Sequence, residues 1–245
     1  MGYWLVTDIK LTYYKRMNLD LFADLYNTPD HSTAPAKLTP MALGHQAFLF
    51  RQFGDLNQPD FLEALLQDIE TVVAMAPFRR MQTTRGHSLS AAMSNCGQRG
   101  WVSGRCGYRY STHDPLTGLL WPSMPIVLRN LAQQAARQAG FDDFQPDACL
   151  INQYVAGSRM GLHQDKDERD LTQPIVSVSL GIPAMFLWGG SQRQDSTQKI
   201  LLQHGDVLVW GGEDRLRYHG IAALKPACHP LLGQRRLNLT FRCAG

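Results

Sequence analysis

Six short runs of β type follow one another between residues 146 and 245. Each run is rich in β-branched residues or alternates apolar with polar ones, and Gly, Pro or Asp turns separate them. No helical run lies between them, so this half of the chain predicts an antiparallel sandwich or barrel. The runs are ACLINQYV, IVSVSLGI, AMFLWG, KILLQH, DVLVWG and RLNLTFR.

The preceding part of the chain contains two helical patterns. The segment 59–76 repeats its apolar positions every three to four residues, which predicts an amphipathic helix. A second helix is predicted at 124–140, with Pro125 near its start and Gly140 past its end. The residues expected to face the core from the first helix are Phe61, Leu62, Leu65, Leu66 and Ile69.

Two further segments have a different character. Residues 79–122 interleave many glycines with Trp and Tyr, which indicates short strands and mobile loops. Residues 1–40 lack clear periodicity and predict a loosely attached arm. Within that arm Met17 offers a second start, which would make residues 1–16 an extension.

Composition narrows the class of protein. The 245 residues are 44% hydrophobic and 18% charged, which is ordinary for a globular domain. No stretch approaches the roughly 20 apolar residues of a membrane span, and a net charge of +3 allows a polyanionic partner without requiring one. Five cysteines without a CxxC pair predict free thiols in a reducing compartment, so we expect a cytoplasmic protein without membrane contact.

A candidate metal site follows from three residues. His163 and Asp165 stand two positions apart, and in an extended chain both would face the same side and reach one ion. With His219 they form a set of two imidazoles and one carboxylate, which leaves positions on iron(II) open for oxygen and a bidentate co-substrate. Solvated His and Asp side chains in a turn would explain the three residues equally well.

The last run, RLNLTFR, has one strongly polar face. Arg236, Asn238, Thr240 and Arg242 alternate with apolar residues, so two guanidiniums share that face. A dicarboxylate such as 2-oxoglutarate needs a planar, permanently charged partner, which Arg supplies, although a solvated sheet face is the alternative. The two arginines stand about 20 Å apart along an extended strand, so we expect only one of them to bind the distal carboxylate.

The order and spacing of these motifs closely resemble the AlkB family of nucleic-acid dealkylases over about residues 77–245. The resemblance implies an α+β fold with a double-stranded β-helix (jelly roll) core, flanking helices and an N-terminal nucleotide-recognition lid. It divides the chain into an arm at 1–40, helices and lid at 41–145, with the lid at about 79–122, and a catalytic core at 146–245. The motifs that carry it are DACLINQYVAG, HQDKDE, PIVSVSLG, HGDVLVWGG, YHGI and RLNLTFR.

The resemblance also implies the chemistry and the residues behind it. The family uses iron(II), 2-oxoglutarate and oxygen, and it releases succinate, carbon dioxide and formaldehyde as it demethylates a base nitrogen. Asn152 and Tyr154 would hydrogen-bond 2-oxoglutarate, Arg236 would pair with its distal carboxylate, and Asn238 and Arg242 would complete the site. A buried strand pair is the alternative for Asn152 and Tyr154. The metal ligands would be His163, Asp165 and His219.

The implied substrate is 1-methyladenine or 3-methylcytosine in DNA, with RNA as a second candidate, and the protein is expected to act as a monomer. Such a base must be flipped from a duplex or offered on a single strand. Trp101 would stack on it, with His163 as the opposite wall, although Trp101 is alternatively a hydrophobic anchor of the lid. Other substrate contacts would be Tyr108 to the backbone, Met93 in the pocket, Asp167 and Glu168 to the exocyclic amino group, and Arg193 to a phosphate. Solvated side chains are the alternative for Asp167, Glu168 and Arg193.

Two positions depart from the family pattern, and rival functions share the same metal site. His87 stands where some members carry Tyr, and Gly161 replaces a small polar residue, which puts backbone contacts and lesion preference in doubt. The main rival is a 2-oxoglutarate oxygenase acting on a protein or small molecule. A binding module without catalysis and a metal-dependent isomerase on a cupin-like barrel are the others.

Overall fold

The computed structural model describes residues 39–245. The sequence predictions for the arm at residues 1–40 and for a second start at Met17 therefore lie outside the described residues, apart from Thr39 and Pro40. Within the described part, no helix is long and apolar enough to cross a membrane.

Strands form most of the regular structure, and two helices accompany them. The helices are α1 (Pro59–Met75) and α2 (Ile126–Gln138), and two short 3-10 turns lie at Gly54–Asn57 and Gly212–Asp214. The strands are β1 (Met41–Ala42), β2 (Ala47–Phe50), β3 (Ala92–Gly97), β4 (Gly100–Gly104), β5 (Gly107–Ser111), β6 (Ala148–Val155), β7 (Met160–His163), β8 (Ile175–Gly181), β9 (Ala184–Trp188), β10 (Gln198–Leu202), β11 (Val207–Trp210), β12 (His219–Ile221) and β13 (Arg235–Arg242).

Two antiparallel sheets form the body of the protein. The larger has the order β1-β2-β11-β8-β13-β6-β3, and the smaller has the order β10-β9-β12-β7. Residues from both sheets line one cavity between them. The predicted jelly roll is confirmed, and all six runs identified from the sequence form strands. Because β2 and β3 belong to the same sheet as β6, β8, β11 and β13, strands from both sides of residue 146 build one layer.

The two helices cover the outer face of the large sheet. Leu62 and Leu65 from α1 and Leu128 from α2 belong to one buried cluster with Val178 and Phe241 from the sheet. Burying one such side chain contributes about 1.5–3 kcal/mol, which explains why the apolar stripes seen in the sequence form helices here. Phe61 and Leu66, which were expected to face the core, are only partly buried.

Strand β13 separates this core from the cavity. Leu237, Leu239 and Phe241 lie in the core shared with the helices, as the alternating pattern predicts. The polar residues on the other face, from Arg236 to Arg242, line the cavity. One strand therefore supplies both the hydrophobic packing and the polar wall of the candidate site.

A hairpin of β4 and β5 forms a separate two-stranded sheet. In the segment 79–122, β3 is an edge strand of the large sheet and pairs with β6, whereas the hairpin pairs with neither large layer. The main chain of the hairpin is tied to β3 through the side chain of Asn95, which bonds both the N–H and the carbonyl of Trp101.

Candidate active site

His163, Asp165 and His219 come together at one end of the cavity. His163 ends β7 and His219 begins β12, and the two are direct partners in the antiparallel ladder. The Nε2 atom of His163 lies 3.6 Å from Asp165 Oδ1, and that of His219 lies 3.8 Å from Oδ2. One ligand atom from each of the three lies within 4.8 Å of the others, the size of a metal coordination sphere. Gly220 permits this packing, because a Cβ there would stand 2.7 Å from the Met160 carbonyl.

Both imidazoles are held in the orientation that a metal requires. The Nδ1 atom of His163 lies 2.9 Å from the Gly161 carbonyl, and that of His219 lies 3.0 Å from the Arg217 carbonyl. A ring N–H donated to a carbonyl leaves Nε2 with its lone pair, as in metal-binding histidines. Burial, and then the nearby His163, lowers the pKa of His219 to about 4, so this ring is neutral at pH 7.

Asp165 is kept ionised by its surroundings. Arg242 donates to Asp165 Oδ2 from Nε at 3.1 Å and from Nη2 at 2.6 Å, which leaves Oδ1 for a metal. Burial alone would raise the pKa of Asp165, but Arg242 and the two histidines outweigh it and hold that pKa well below its usual value. The donor set fits a divalent cation such as iron(II).

The other end of the cavity contains a buried cation without an anionic partner. Arg236 is 1% exposed and donates one hydrogen bond, from Nη2 to Ser179 Oγ at 3.0 Å. Its Nε and Nη1 have no partner among the described residues, and neither has Asn152 Oδ1. Burial lowers the pKa of Arg236 to about 10, and the Tyr154 ring lies 5.3 Å away. Since an unpaired buried charge is costly, this end of the cavity fits a carboxylate.

The cavity encloses about 370 Å³ and joins these two ends. Asn238 lines it, but its amide already donates to Ser177 Oγ and to the Val178 carbonyl, so it stiffens the wall. All predicted site residues except Glu168 line this cavity. They are Met93, Trp101, Tyr108, Asn152, Tyr154, His163, Asp165, Asp167, Arg193, His219, Arg236, Asn238 and Arg242.

Glu168 is the one predicted substrate contact that the structure does not place at the cavity. Glu168 is buried and does not line the cavity. Its Oε1 accepts from Tyr110 at 2.7 Å, and its Oε2 accepts from Arg215 at 3.1 Å. Of two adjacent acidic residues, Asp167 lines the cavity and Glu168 is buried against Tyr110 and Arg215.

The mouth of the cavity is formed by aromatic and charged side chains. Trp101 and Tyr108 stack with centroids 5.7 Å apart and planes 15° apart, and Tyr108 is 45% exposed. Trp101 Nε1 donates to Asp167 Oδ2 at 2.9 Å. The guanidinium of Arg193 lies 6.0 Å from the Tyr218 ring. Trp101 and His163 line the same cavity, but no aromatic contact found among residues 39–245 joins the two rings.

The two departures from the family pattern lie in different places. Gly161 contributes its backbone carbonyl to His163, and a Cβ at Gly161 would meet no atom within 4 Å, so the metal site does not depend on this side chain. His87 is exposed in the turn that begins at Thr83, and it does not line the cavity.

Several residues of the site were not identified from the sequence. Tyr110 and Arg215 hold Glu168, and they carry no motif that marks them. Tyr218, next to His219, was within reach of sequence reasoning because it belongs to the run RYHGI. The apolar walls come from strands that the sequence did predict, and they include Leu150, Phe186 and Trp210.

Comparison with known proteins was consistent across sequence and structure. Residues 55–242 match the model of the 2OG-Fe(II) oxygenase superfamily. The alpha-ketoglutarate-dependent dioxygenase AlkB of Escherichia coli (strain K12) is 52% identical over 227 residues, which cover 93% of this chain and 98% of that protein.

More distant relatives match a smaller part of their own length. The human protein named nucleic acid dioxygenase ALKBH1 is 35% identical over 127 residues, or 51% of this chain and 32% of that protein. Among solved structures, one described as "The structure of OsALKBH1" aligns with a TM-score of 0.71 and 29% identity, covering 83% of this chain and 99% of that one.

Proposed function

Since this chain belongs to the AlkB family within the 2OG-Fe(II) oxygenase superfamily, we propose that it demethylates alkylated bases in nucleic acid. The chain is an iron(II)- and 2-oxoglutarate-dependent dioxygenase, as its family is. The substrates proposed are bases of the 1-methyladenine and 3-methylcytosine type in DNA, with RNA as a second substrate. The human relative, named a nucleic acid dioxygenase, supports a nucleic-acid substrate.

In this proposal the two ends of the cavity have separate tasks. His163, Asp165 and His219 would hold iron(II), each with one ligand atom. Bound iron, with 2-oxoglutarate and oxygen, supplies the oxidation that yields succinate and carbon dioxide and hydroxylates the methyl carbon. Arg242 keeps Asp165 anionic and fixed in orientation.

The polar wall binds the co-substrate. Arg236 would receive the distal carboxylate of 2-oxoglutarate on its unpaired Nε and Nη1. The Tyr154 hydroxyl, which donates to Met160 Sδ at 3.8 Å in this structure, would donate to the same molecule instead. Asn152 lies on the same wall, and Asn238 keeps that wall rigid through its bonds to β8. A bidentate guanidinium–carboxylate pair fixes the ligand geometrically as well as electrostatically.

The mouth selects the base. Trp101 stacks on it with His163 opposite, Met93 lines the pocket, and Tyr108 and Arg193 contact the nucleotide backbone. Asp167 Oδ1 accepts from the exocyclic amino group of adenine or cytosine, because Oδ2 is already bound by Trp101. The hairpin of β4 and β5, within the segment 79–122, serves as the lid over this base.

The observation that carries this proposal is the stacked Trp101–Tyr108 pair over a cavity that ends in the His–Asp–His cluster and the unpaired Arg236. The proposed partner is a single strand or a base flipped from duplex DNA, engaged by a monomer. A cytoplasmic location is part of the proposal, and the free state of all five cysteines supports it.

The test is mass spectrometry of a 1-methyladenine or 3-methylcytosine oligonucleotide incubated with the protein, iron(II), 2-oxoglutarate and oxygen. We expect the methyl group to be lost and succinate and formaldehyde to form in equal amounts. Consumption of 2-oxoglutarate without loss of the methyl group, unchanged by added oligonucleotide, would favour the rival function, an oxygenase acting on a protein or small molecule. Turnover of the methylated oligonucleotide that is unchanged in Trp101→Ala, with the same KM, would favour it as well.

A further inference from the structure

The hairpin of β4 and β5 is fastened to the segment that carries Asp165. Trp101 and Tyr110 are direct cross-strand partners, so their side chains point to the same face of the hairpin. Trp101 Nε1 donates to Asp167 Oδ2 at 2.9 Å, and the Tyr110 hydroxyl donates to Glu168 Oε1 at 2.7 Å. Two consecutive acidic residues thus hold one rung of the hairpin.

The inner of these two hydrogen bonds continues to the metal ligand. Glu168 Oε1 lies 3.3 Å from Arg242 Nε, and Arg242 in turn donates to Asp165 Oδ2. Glu168 Oε2 accepts from Arg215, whose Nη1 donates to the main-chain carbonyl of Asp165 at 2.6 Å. Both the carboxylate and the backbone of Asp165 are therefore connected to Glu168 through one arginine each.

This cluster is buried and its formal charges balance. The side chains of Glu168, Arg215 and Arg242 are 2%, 3% and 7% exposed, and that of Asp165 is 11% exposed. Two carboxylates face two guanidiniums in a site nearly free of water, where a displaced partner is costly and the others must adjust. Burial raises the pKa of Tyr110 well above its usual value, so the phenol remains a donor.

We propose that Tyr110 and Glu168 are positioning residues that couple closure of the hairpin to metal binding at Asp165. When the hairpin is seated, Tyr110 fixes Glu168, Glu168 fixes Arg242, and Arg242 leaves Asp165 Oδ1 free for the metal. Coupling of this kind is reciprocal, so a bound metal also favours the seated hairpin. The inference rests on the proposed metal site at His163, Asp165 and His219.

The test compares hydrogen exchange of the whole protein with and without manganese(II) and 2-oxoglutarate. In the unmodified protein, we expect the metal to slow exchange both in β7 and β12 and in the hairpin at residues 100–111. In Tyr110→Phe, we expect the slowing in β7 and β12 to persist and the slowing in the hairpin to be lost. In the same variant, the apparent Kd for manganese(II) should rise about 10-fold. That is the lower end of the loss of metal affinity expected when a residue that orients a metal ligand is removed.

Ser111→Ala is the matched control, because it removes a hydroxyl of the same strand whose hydrogen bonds, in the described part of the chain, go only to the nearby His113 backbone. It should leave the effect of the metal on the hairpin unchanged. If Tyr110→Phe merely lowers Tm while the metal still slows hairpin exchange as before, the coupling is refuted. If manganese(II) slows exchange nowhere in the unmodified protein, the proposed metal site itself fails, which is a different result.

Discussion

The floor of the cavity and its mouth are built in different ways. The floor, consisting of His163, Asp165, His219, Arg236 and Arg242, lies on or beside strands inside the two sheets, and most of it is buried. The mouth, which consists of Trp101, Tyr108, Asp167 and Arg193, lies on a two-stranded hairpin and in loops. Reacting groups must keep their geometry to a fraction of an ångström, whereas a recognition surface tolerates adjustment.

The two regions also differ in how many interactions hold each residue. Arg242 is held by a strand ladder and by ion pairs to Asp165 and Glu168. The side chain of Trp101 is only partly buried, and it is held by one stacked ring and one hydrogen bond to Asp167. We therefore expect substitutions in the floor to abolish chemistry, and those in the mouth to change which substrate binds and how tightly.

His219→Ala should have the largest effect, because two remaining ligands cannot hold the metal. We expect turnover to fall by at least about 100-fold, since even the loss of an outer partner costs roughly 10–100-fold. Isothermal titration with manganese(II) should show binding lost together with turnover. His45→Ala, at an exposed histidine outside the cavity, is the control and should bind metal normally.

Arg236→Met should separate co-substrate binding from stability. It removes a buried cation that has no anionic partner within residues 39–245, so the protein without 2-oxoglutarate should unfold at the same Tm or higher. The KM for 2-oxoglutarate should rise about 10–100-fold, because that ratio corresponds to the free energy of one hydrogen bond between charged groups. Arg235→Met, one residue earlier on β13, should leave that KM unchanged. A fall in the Tm of Arg236→Met would contradict the unpaired state of this cation.

Trp101→Ala should affect the mouth alone. Loss of base stacking, worth about 1–3 kcal/mol, should raise the KM for a methylated oligonucleotide about 10-fold. The KM for 2-oxoglutarate should stay the same, which steady-state kinetics with each substrate varied in turn will check. Trp101→Phe retains a stacking ring but loses the bond to Asp167. Its KM for the methylated oligonucleotide should therefore lie between those of the unmodified protein and Trp101→Ala. A large change in the KM for 2-oxoglutarate would abolish the distinction between floor and mouth.

Arg193→Ala should have the smallest effect. As a single phosphate contact, it should weaken binding a few-fold for every sequence and lower the salt slope of the binding constant by about one. Fluorescence anisotropy at several salt concentrations measures both quantities. Arg137→Ala removes an equal charge from the exposed face of α2, and its salt slope should match that of the unmodified protein.

The sequence predicted the helices and the long strands better than the short strands. In β13 the polar residues from Arg236 to Arg242 alternate with apolar ones. Because successive side chains of a strand point to opposite faces, this pattern indicates which face packs on the core. The helices α1 and α2 were predictable for the same kind of reason. By contrast, β7 and β12 are only four and three residues long, and their extended form depends on pairing with each other and with β9.

Residues whose role depends on distant partners could not be predicted from local pattern. Glu168 and Asp167 are adjacent acids, and only the positions of Tyr110 and Arg215 determine which one is buried. Arg215 follows a 3-10 turn and nothing nearby distinguishes it from a solvated arginine. Such contacts arise from the tertiary fold, over 40 or more positions along the chain.

The two different faces of strand β13 restrict which insertions into the gene the protein can tolerate. Because one face packs on the helices and the other lines the cavity, inserting a single codon within the strand would exchange the two faces beyond that point. Leucines would then enter the site and arginines the core. Inserting two codons would restore the faces but shift Arg242 by roughly 6.6 Å along the ladder relative to Asp165. This stretch should therefore accept volume-conserving substitutions on its apolar face while rejecting any change of length.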